Sequence, residues 1–93
     1  MALRPKFSII TITYNAASVI GPTLQSVLSQ TYTNYEYLLI DGGSKDDTVE
    51  KAKASGIAFA HIVSERDKGI YDAMNKGIAL ATGDYLCFLN AGD

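Results

Sequence analysis

Four short apolar runs alternate with three stretches of helical pattern along this chain, and that alternation leaves few folds open. The runs are "FSIITITYN" (7–15), "YEYLLID" (35–41), "IAFAHIV" (57–63) and "DYLCFLN" (84–90). They are rich in β-branched and aromatic residues, and the first and last are apolar on both faces, as buried strands are. Between the first two runs, Ile20, Leu24, Val27 and Leu28 recur at helical spacing, and Pro22 suits a first helical turn. "SKDDTVEKAKASG" predicts a second helix, with Asp46 or Asp47 as its cap, Glu50 closing a capping box with Asp47, and Gly56 as its stop. "IYDAMNKGIALATG" (70–83) predicts a third, with Ile70, Ala73, Met74, Ile78 and Ala81 on one face and Gly83 at its end. The order βαβαβαβ implies an α/β fold, with a parallel sheet and right-handed crossovers. No repeat or linker divides the chain, so a single unit is expected.

The totals narrow the function classes. A net charge of −2, with the eight Lys and Arg scattered, provides no basic field for nucleic acid. No run approaches a membrane span, and no signal-peptide pattern opens the chain, so a cytoplasmic location is expected. The lone Cys87 fits a reducing compartment and reads as a small buried hydrophobe. His61, inside a strand run, reads as structural.

In a parallel sheet the C-terminal ends of all strands lie along one edge, and ligands bind outside that edge where strand order reverses. The segments leaving the four runs are "TYN" (13–15), "DGGS" (41–44), "SERDKG" (64–69) and "NAGD" (90–93), and most of the conspicuous polar residues fall in them. Tyr14 would stack on a base, with Thr13 and Asn15 donating to it; the alternative is a strand-end aromatic packed on the next helix. Asp41 would accept a hydrogen bond from a nucleobase N–H or a ribose hydroxyl, or else simply turn the chain. Gly42 and Gly43 allow close backbone approach but form neither a dinucleotide fingerprint nor a P-loop. Arg66 and Lys68, before a helix start, suit a diphosphate, against the alternative of a solvated loop. Asp72 and Asn75 share one side of that helix. Asp93 reads as a ligand for Mg²⁺ or Mn²⁺, which take carboxylate and phosphate oxygens, or as a plain turn residue after Gly92.

Together, "FSIITITYNAASVIGPTLQSVLSQTYTNYEYLLIDGGSKDDT" and "DKGIYDAMNKGIALATGDYLCFLNAGD" resemble the start of a family 2 glycosyltransferase of the GT-A fold. The resemblance implies a Rossmann-like half with strand order 3-2-1-4, residues 1–93 being the nucleotide-sugar-binding portion ending at the metal-binding motif. It implies an inverting transfer of sugar from a nucleotide-diphosphate donor to the hydroxyl of a sugar or lipid-linked acceptor, in polysaccharide or glycan synthesis. Thr13 and Tyr14 would line the nucleotide pocket, Asp41 would contact the base, and Asp46 would bind or shape that pocket. With Arg66, Lys68 and Asp72, these are the expected donor-binding residues, and Asp93 the metal ligand. "NAGD" departs from the family's Asp-x-Asp motif, with Asn90 at the usual first acid and Gly92 at another common one. The general base is expected beyond residue 93, leaving residues 1–93 inactive alone. An open apolar edge on the fourth strand would favour self-association, and a peripheral site at the inner membrane face is compatible with a lipid-linked acceptor. The alternative function is a noncatalytic nucleotide-binding or interaction module of the same fold. A nucleotidyltransferase is disfavoured because "TYNAASVIGP" lacks a Gly-rich, Arg-containing loop.

Overall fold

The computed structural model describes residues 5–91. Four strands, β1 (Phe7–Thr13), β2 (Tyr35–Asp41), β3 (His61–Ser64) and β4 (Tyr85–Phe88), alternate with α1 (Ile20–Ser29), α2 (Thr48–Ala54) and α3 (Ile70–Leu80). All pairings are parallel, and the order is β3-β2-β1-β4, as expected. The reversal of strand order falls between β1 and β4.

Side chains alternate across a strand, so β2 builds two cores at once. Tyr37 and Leu39 pack with Ile20, Leu24 and Val27 of α1 and Ala52 of α2 on one face. Leu38 and Ile40 pack with Ile10 and Ala73 of α3 on the other. The Tyr37 hydroxyl, fully buried, shares a 2.6 Å hydrogen bond with Thr11 Oγ1, and its ring stacks on Phe59 at 5.1 Å.

Several local expectations change. α3 turns only part of the expected face to the sheet: Ala73 is buried and Ala81 packs beside it, but Gly77 is buried with them while Ile70 and Ile78 are exposed. Small residues win there because the helix lies close to the strands; a Cβ on Gly77 would stand 2.9 Å from Ile10 Cγ2. α3 also stops at Leu80, before Gly83, with Ala81 already extended. β3 begins at His61 rather than Ile57, because Ile57 and Phe59 pack against the α1 side before the chain joins β2. His61 itself is exposed. Asp47 precedes α2 without a side-chain cap, so the Asp47–Glu50 capping box does not form; Asp46 accepts from Thr48 N–H instead. Gly56, at φ +88°, follows the end of α2, as expected. Cys87 is exposed, not buried, because among the described residues no element covers β4, whose four residues are all exposed.

The edge of the sheet where the strands begin is closed by Glu36. Its carboxylate accepts from Ser8 Oγ at 2.6 Å and Thr82 N–H at 2.7 Å, with Lys6 Nζ 3.7 Å away. The opposite edge, where the strands end, is hollow.

Candidate functional site

Strand register decides what meets at that rim. Thr13 pairs with Asp41, and Asp41 with Ser64, so the last residues of β1, β2 and β3 stand in one row. In-register neighbours of a parallel sheet point to the same face, and these three are hydrogen-bonded. Thr13 Oγ1 donates to Asp41 Oδ1 at 2.7 Å, and Ser64 Oγ donates to Asp41 Oδ2 at 2.9 Å. The next turn folds back on the same carboxylate: Gly43 N–H and Ser44 N–H donate to Oδ2 at 3.1 and 2.8 Å, and Ser44 Oγ to Oδ1. Asp41 therefore accepts five internal hydrogen bonds and is 1% exposed. Burial alone would push its carboxyl up; the bonds from Ser44, Thr13 and Ser64 outweigh burial and hold it below the ordinary carboxylate value.

The loop after β1 is locked to the loop after β2. Asn15, at φ +49°, donates its N–H to Ser44 Oγ at 2.7 Å and accepts Lys45 N–H on Oδ1 at 2.8 Å. Ala16 N–H donates to Thr48 Oγ1 at 2.9 Å, and Ala17 N–H to Asp46 Oδ2 at 3.2 Å. The other Asp46 oxygen takes the Thr48 N–H and hydroxyl. The Thr48 hydroxyl is the main reason the Asp46 carboxyl lies below its usual value. Asp46 thus ties the two loops together and caps α2.

Above this frame lies a cavity of about 390 Å³, lined by Tyr14, Gly42, Gly43, Lys45, Arg66 and Asp67. Its walls come from the loops after β1, β2 and β3. Tyr14, 60% exposed, is part of its wall. Gly43 brings the two loops close: a Cβ on it would stand 3.3 Å from the Arg66 backbone nitrogen. A second hollow of about 310 Å³, lined by Ile12, Thr13, Tyr14, Asp67, Gly69 and Ile70, adjoins the first across Tyr14 and Asp67.

The sequence-predicted residues divide into two groups. Tyr14 and Arg66 line the larger cavity, and Thr13 the smaller. Asn15, Asp41 and Asp46 form the frame beneath. Lys68 and Asp72 sit at the start of α3, where Asp72 Oδ2 accepts Lys68 N–H at 2.9 Å and lies 3.7 Å from Lys76 Nζ. Asn90 follows β4, and its backbone carbonyl accepts from Thr23 Oγ1 at 3.2 Å. Asp93 lies outside the described residues. Among the described residues no group of three His, Cys, Asp or Glu side chains could hold a metal ion. Sequence reasoning missed Ser44, Ser64, Lys45 and Asp67. The row across the sheet would have pointed to Ser64, since it too ends a strand.

A family model described as Glycosyl transferase family 2 matches residues 8–93. The chain belongs to that family. This family 2 chain is 45% identical over 96 residues to a PGL/p-HBAD biosynthesis glycosyltransferase of Mycobacterium tuberculosis, covering 96% of the chain and 36% of the relative. It is 37% identical over 92 residues to an amylovoran biosynthesis glycosyltransferase of Erwinia amylovora, covering 94% of the chain and 31% of the relative. The chain thus spans 36% and 31% of the lengths of these curated relatives. A mannosyltransferase from Pyrobaculum calidifontis, solved in complex with GDP-Man and Mn²⁺, superposes with a TM-score of 0.84 at 28% identity, covering 97% of this chain and 28% of that one. That superposition and the observed strand order establish the GT-A type of α/β fold.

Proposed function

We propose that this family 2 chain binds the nucleotide diphosphate of a sugar donor in the rim cavity, as part of an inverting glycosyltransferase of glycan or polysaccharide assembly. One observation carries the reading: three loops far apart in sequence place an exposed aromatic ring, two cations and a carboxylate around one cavity of about 390 Å³. That size and lining suit a nucleoside, since ligand pockets run from about 300 Å³ upward and use a few placed polar groups. Tyr14 would stack on the base. Lys45 and Arg66 would attract the anionic diphosphate, and the Arg66 guanidinium can hold phosphate oxygens in pairs.

The frame supplies preorganisation. Asp41, Asn15 and Asp46 hold the loops before any ligand arrives, so little ordering entropy is lost on binding. Thr13 and Asp72 complete the donor-side set expected from the sequence, and Lys68 adds positive charge near the start of α3.

The Mn²⁺ in the complex of the similar mannosyltransferase supports a divalent cation, Mg²⁺ or Mn²⁺. The described residues do not make up its ligand set by themselves, and Asp93 is the residue proposed to contribute to it. Such an ion would offset charge on the leaving diphosphate. The acceptor, a sugar or lipid-linked hydroxyl, and the base that deprotonates it are assigned to residues beyond these 93. Purified residues 1–93 are accordingly expected to bind donor weakly and to turn over negligibly. Among the described residues no helix is long and apolar enough to cross a membrane. The uncovered β4 edge is proposed to pair with another chain when residues 1–93 stand alone.

Calorimetric titration of UDP, GDP and their sugar conjugates, with and without Mn²⁺, tests the reading. Binding of at least one nucleotide diphosphate, lowered by Tyr14→Ala and made insensitive to Mn²⁺ by Asp93→Asn, is the expected result. No binding of any of them under either condition would refute it.

A further inference from the structure

Asp41 and Asp67 both lie near the rim cavity, and they differ in what they leave for a ligand. A carboxylate offers about four lone-pair sites. Asp41 receives five hydrogen bonds from its own chain, is 1% exposed, and does not line the cavity. An N–H or hydroxyl of a ligand would have to displace one of those donors.

Asp67 is arranged differently. Its Oδ1 accepts the Gly69 N–H at 3.1 Å, which fixes the side chain against the turn before α3. Its Oδ2 has no hydrogen-bond or ion-pair partner among the described residues, although Lys45 and Arg66 line the same cavity. Asp67 is half-buried and lines the hollow, and no fully buried side-chain oxygen or nitrogen among the described residues lacks a partner, so Oδ2 is open to solvent. The space for it comes from Gly42. A Cβ there would stand 2.9 Å from Asp67 Oδ2. Gly42 is not among the positive-φ residues, so it is the missing side chain that matters here rather than backbone freedom.

We infer that Asp67, seated over Gly42, is the specificity-determining residue of the cavity, and that its Oδ2 accepts the ring N–H of the nucleobase stacked on Tyr14. The inference rests on the reading that a nucleotide diphosphate occupies this cavity. Tyr14 and Asp67 border both hollows, so a base stacked on Tyr14 would share its space with the carboxylate. The diphosphate is repelled by Asp67 and drawn to Lys45 and Arg66, which leaves the base as the group that meets the carboxylate. Uracil N3–H and guanine N1–H are donors of the required kind. Cytosine and adenine carry no ring N–H on that edge. A site whose acceptor expects an N–H rejects an analogue lacking it strongly, because the partner is left desolvated and unpaired.

The test compares the affinities of UDP and GDP with those of N3-methyluridine and N1-methylguanosine diphosphates, for the unsubstituted protein, Asp67→Ala and Gly42→Ala. The unsubstituted protein is expected to lose about 30-fold or more in affinity when its preferred nucleotide is methylated. In Asp67→Ala the unmethylated nucleotide should bind about 10-fold more weakly, and the methylation penalty should shrink to about 3-fold or less. Gly42→Ala, whose methyl displaces only the tip of the Asp67 side chain, should shrink the same penalty while leaving the thermal midpoint unchanged. A methylation penalty that survives both substitutions overturns the inference. So does an equal loss for methylated and unmethylated ligands, which is the mark of a structural role. A 2′-deoxy penalty abolished by Asp67→Ala, with the methylation penalty intact, would place the carboxylate on the ribose and overturn it too. If the unsubstituted protein binds no nucleotide diphosphate at all, the proposed function itself fails, an outcome distinct from the other three.

Discussion

The loops after β2 and β3 face the same cavity but are built on opposite plans. In the loop running from Asp41 to Thr48, most polar side chains are spent on the chain itself: Asp41, Ser44, Asp46 and Thr48 all bond internally, while Lys45 lines the cavity. In the loop from Ser64 to Gly69, only the first side chain joins that frame, while Arg66 and one oxygen of Asp67 are left for the cavity. The difference separates two jobs that a motif blurs together. The first loop chiefly fixes a shape, and the second chiefly meets what enters it. Removing a side chain that bonds internally in the first, such as Asp41, should cost stability; removing Arg66 or Asp67 from the second should cost binding and little else.

The largest effect is expected at Asp41. Asp41→Ala leaves the buried Thr13 hydroxyl and the part-buried amides of Gly43 and Ser44 unpaired, each at about 1–3 kcal/mol, so a loss of about 3 kcal/mol or more is predicted by urea denaturation. A loss below about 1 kcal/mol would erase the contrast between the loops. Next comes Tyr14→Ala, which removes the stacking surface and should weaken nucleotide diphosphate binding by about 1–3 kcal/mol with no matching loss of stability. Arg66→Ala should follow, with about 10-fold weaker diphosphate binding that becomes a smaller difference in high salt, and a stability within about 0.5 kcal/mol.

The dependence on pH sharpens the same contrast. The Asp41 carboxyl is depressed in the folded state, so its contribution to stability is full above the ordinary unfolded value of about 3.9 and is lost as pH falls through the lower folded value. Asp41→Asn should flatten the acid limb of a stability–pH curve; an unchanged limb would assign acid sensitivity elsewhere. The smallest effect is expected for Lys68→Ala. Lys68 does not line the cavity, and its backbone N–H, the group that binds Asp72, survives the substitution. Less than about a 2-fold change in affinity is predicted.

How much of this was legible in the sequence follows from the length scale of each signal. The alternation of apolar runs and helical spacing carried the element order and the parallel sheet, because burial of β2 on two faces demands continuous apolar residues there. Of the expected α3 face, Ala73 is buried and Ala81 packs beside it, but Ile70 and Ile78 are exposed, because periodicity favours large residues whereas close approach to Ile10 and Ile40 selects the small Gly77. β4 has the pattern of a buried strand, yet it is exposed here, since pattern says what a strand can bury and not what covers it. At the rim, strand ends located Tyr14, Asp41 and Arg66. They did not tell frame from lining, because whether a carboxylate is saturated depends on register: Thr13 and Ser64 flank Asp41 only once β1 and β3 are in place. Asp67 was hidden for the same reason, its role depending on the space above Gly42 in another loop.

The central claim is that the cavity between these two loops receives the nucleotide. Backbone amide chemical shifts followed by NMR during titration with UDP and with GDP address it most directly. The largest changes are predicted at Tyr14, Gly42, Gly43, Lys45, Arg66 and Asp67, with Phe7, Glu36 and Thr82 at the far edge unmoved. Changes confined to that far edge or to the β4 surface, with the six cavity residues silent at saturation, would contradict it.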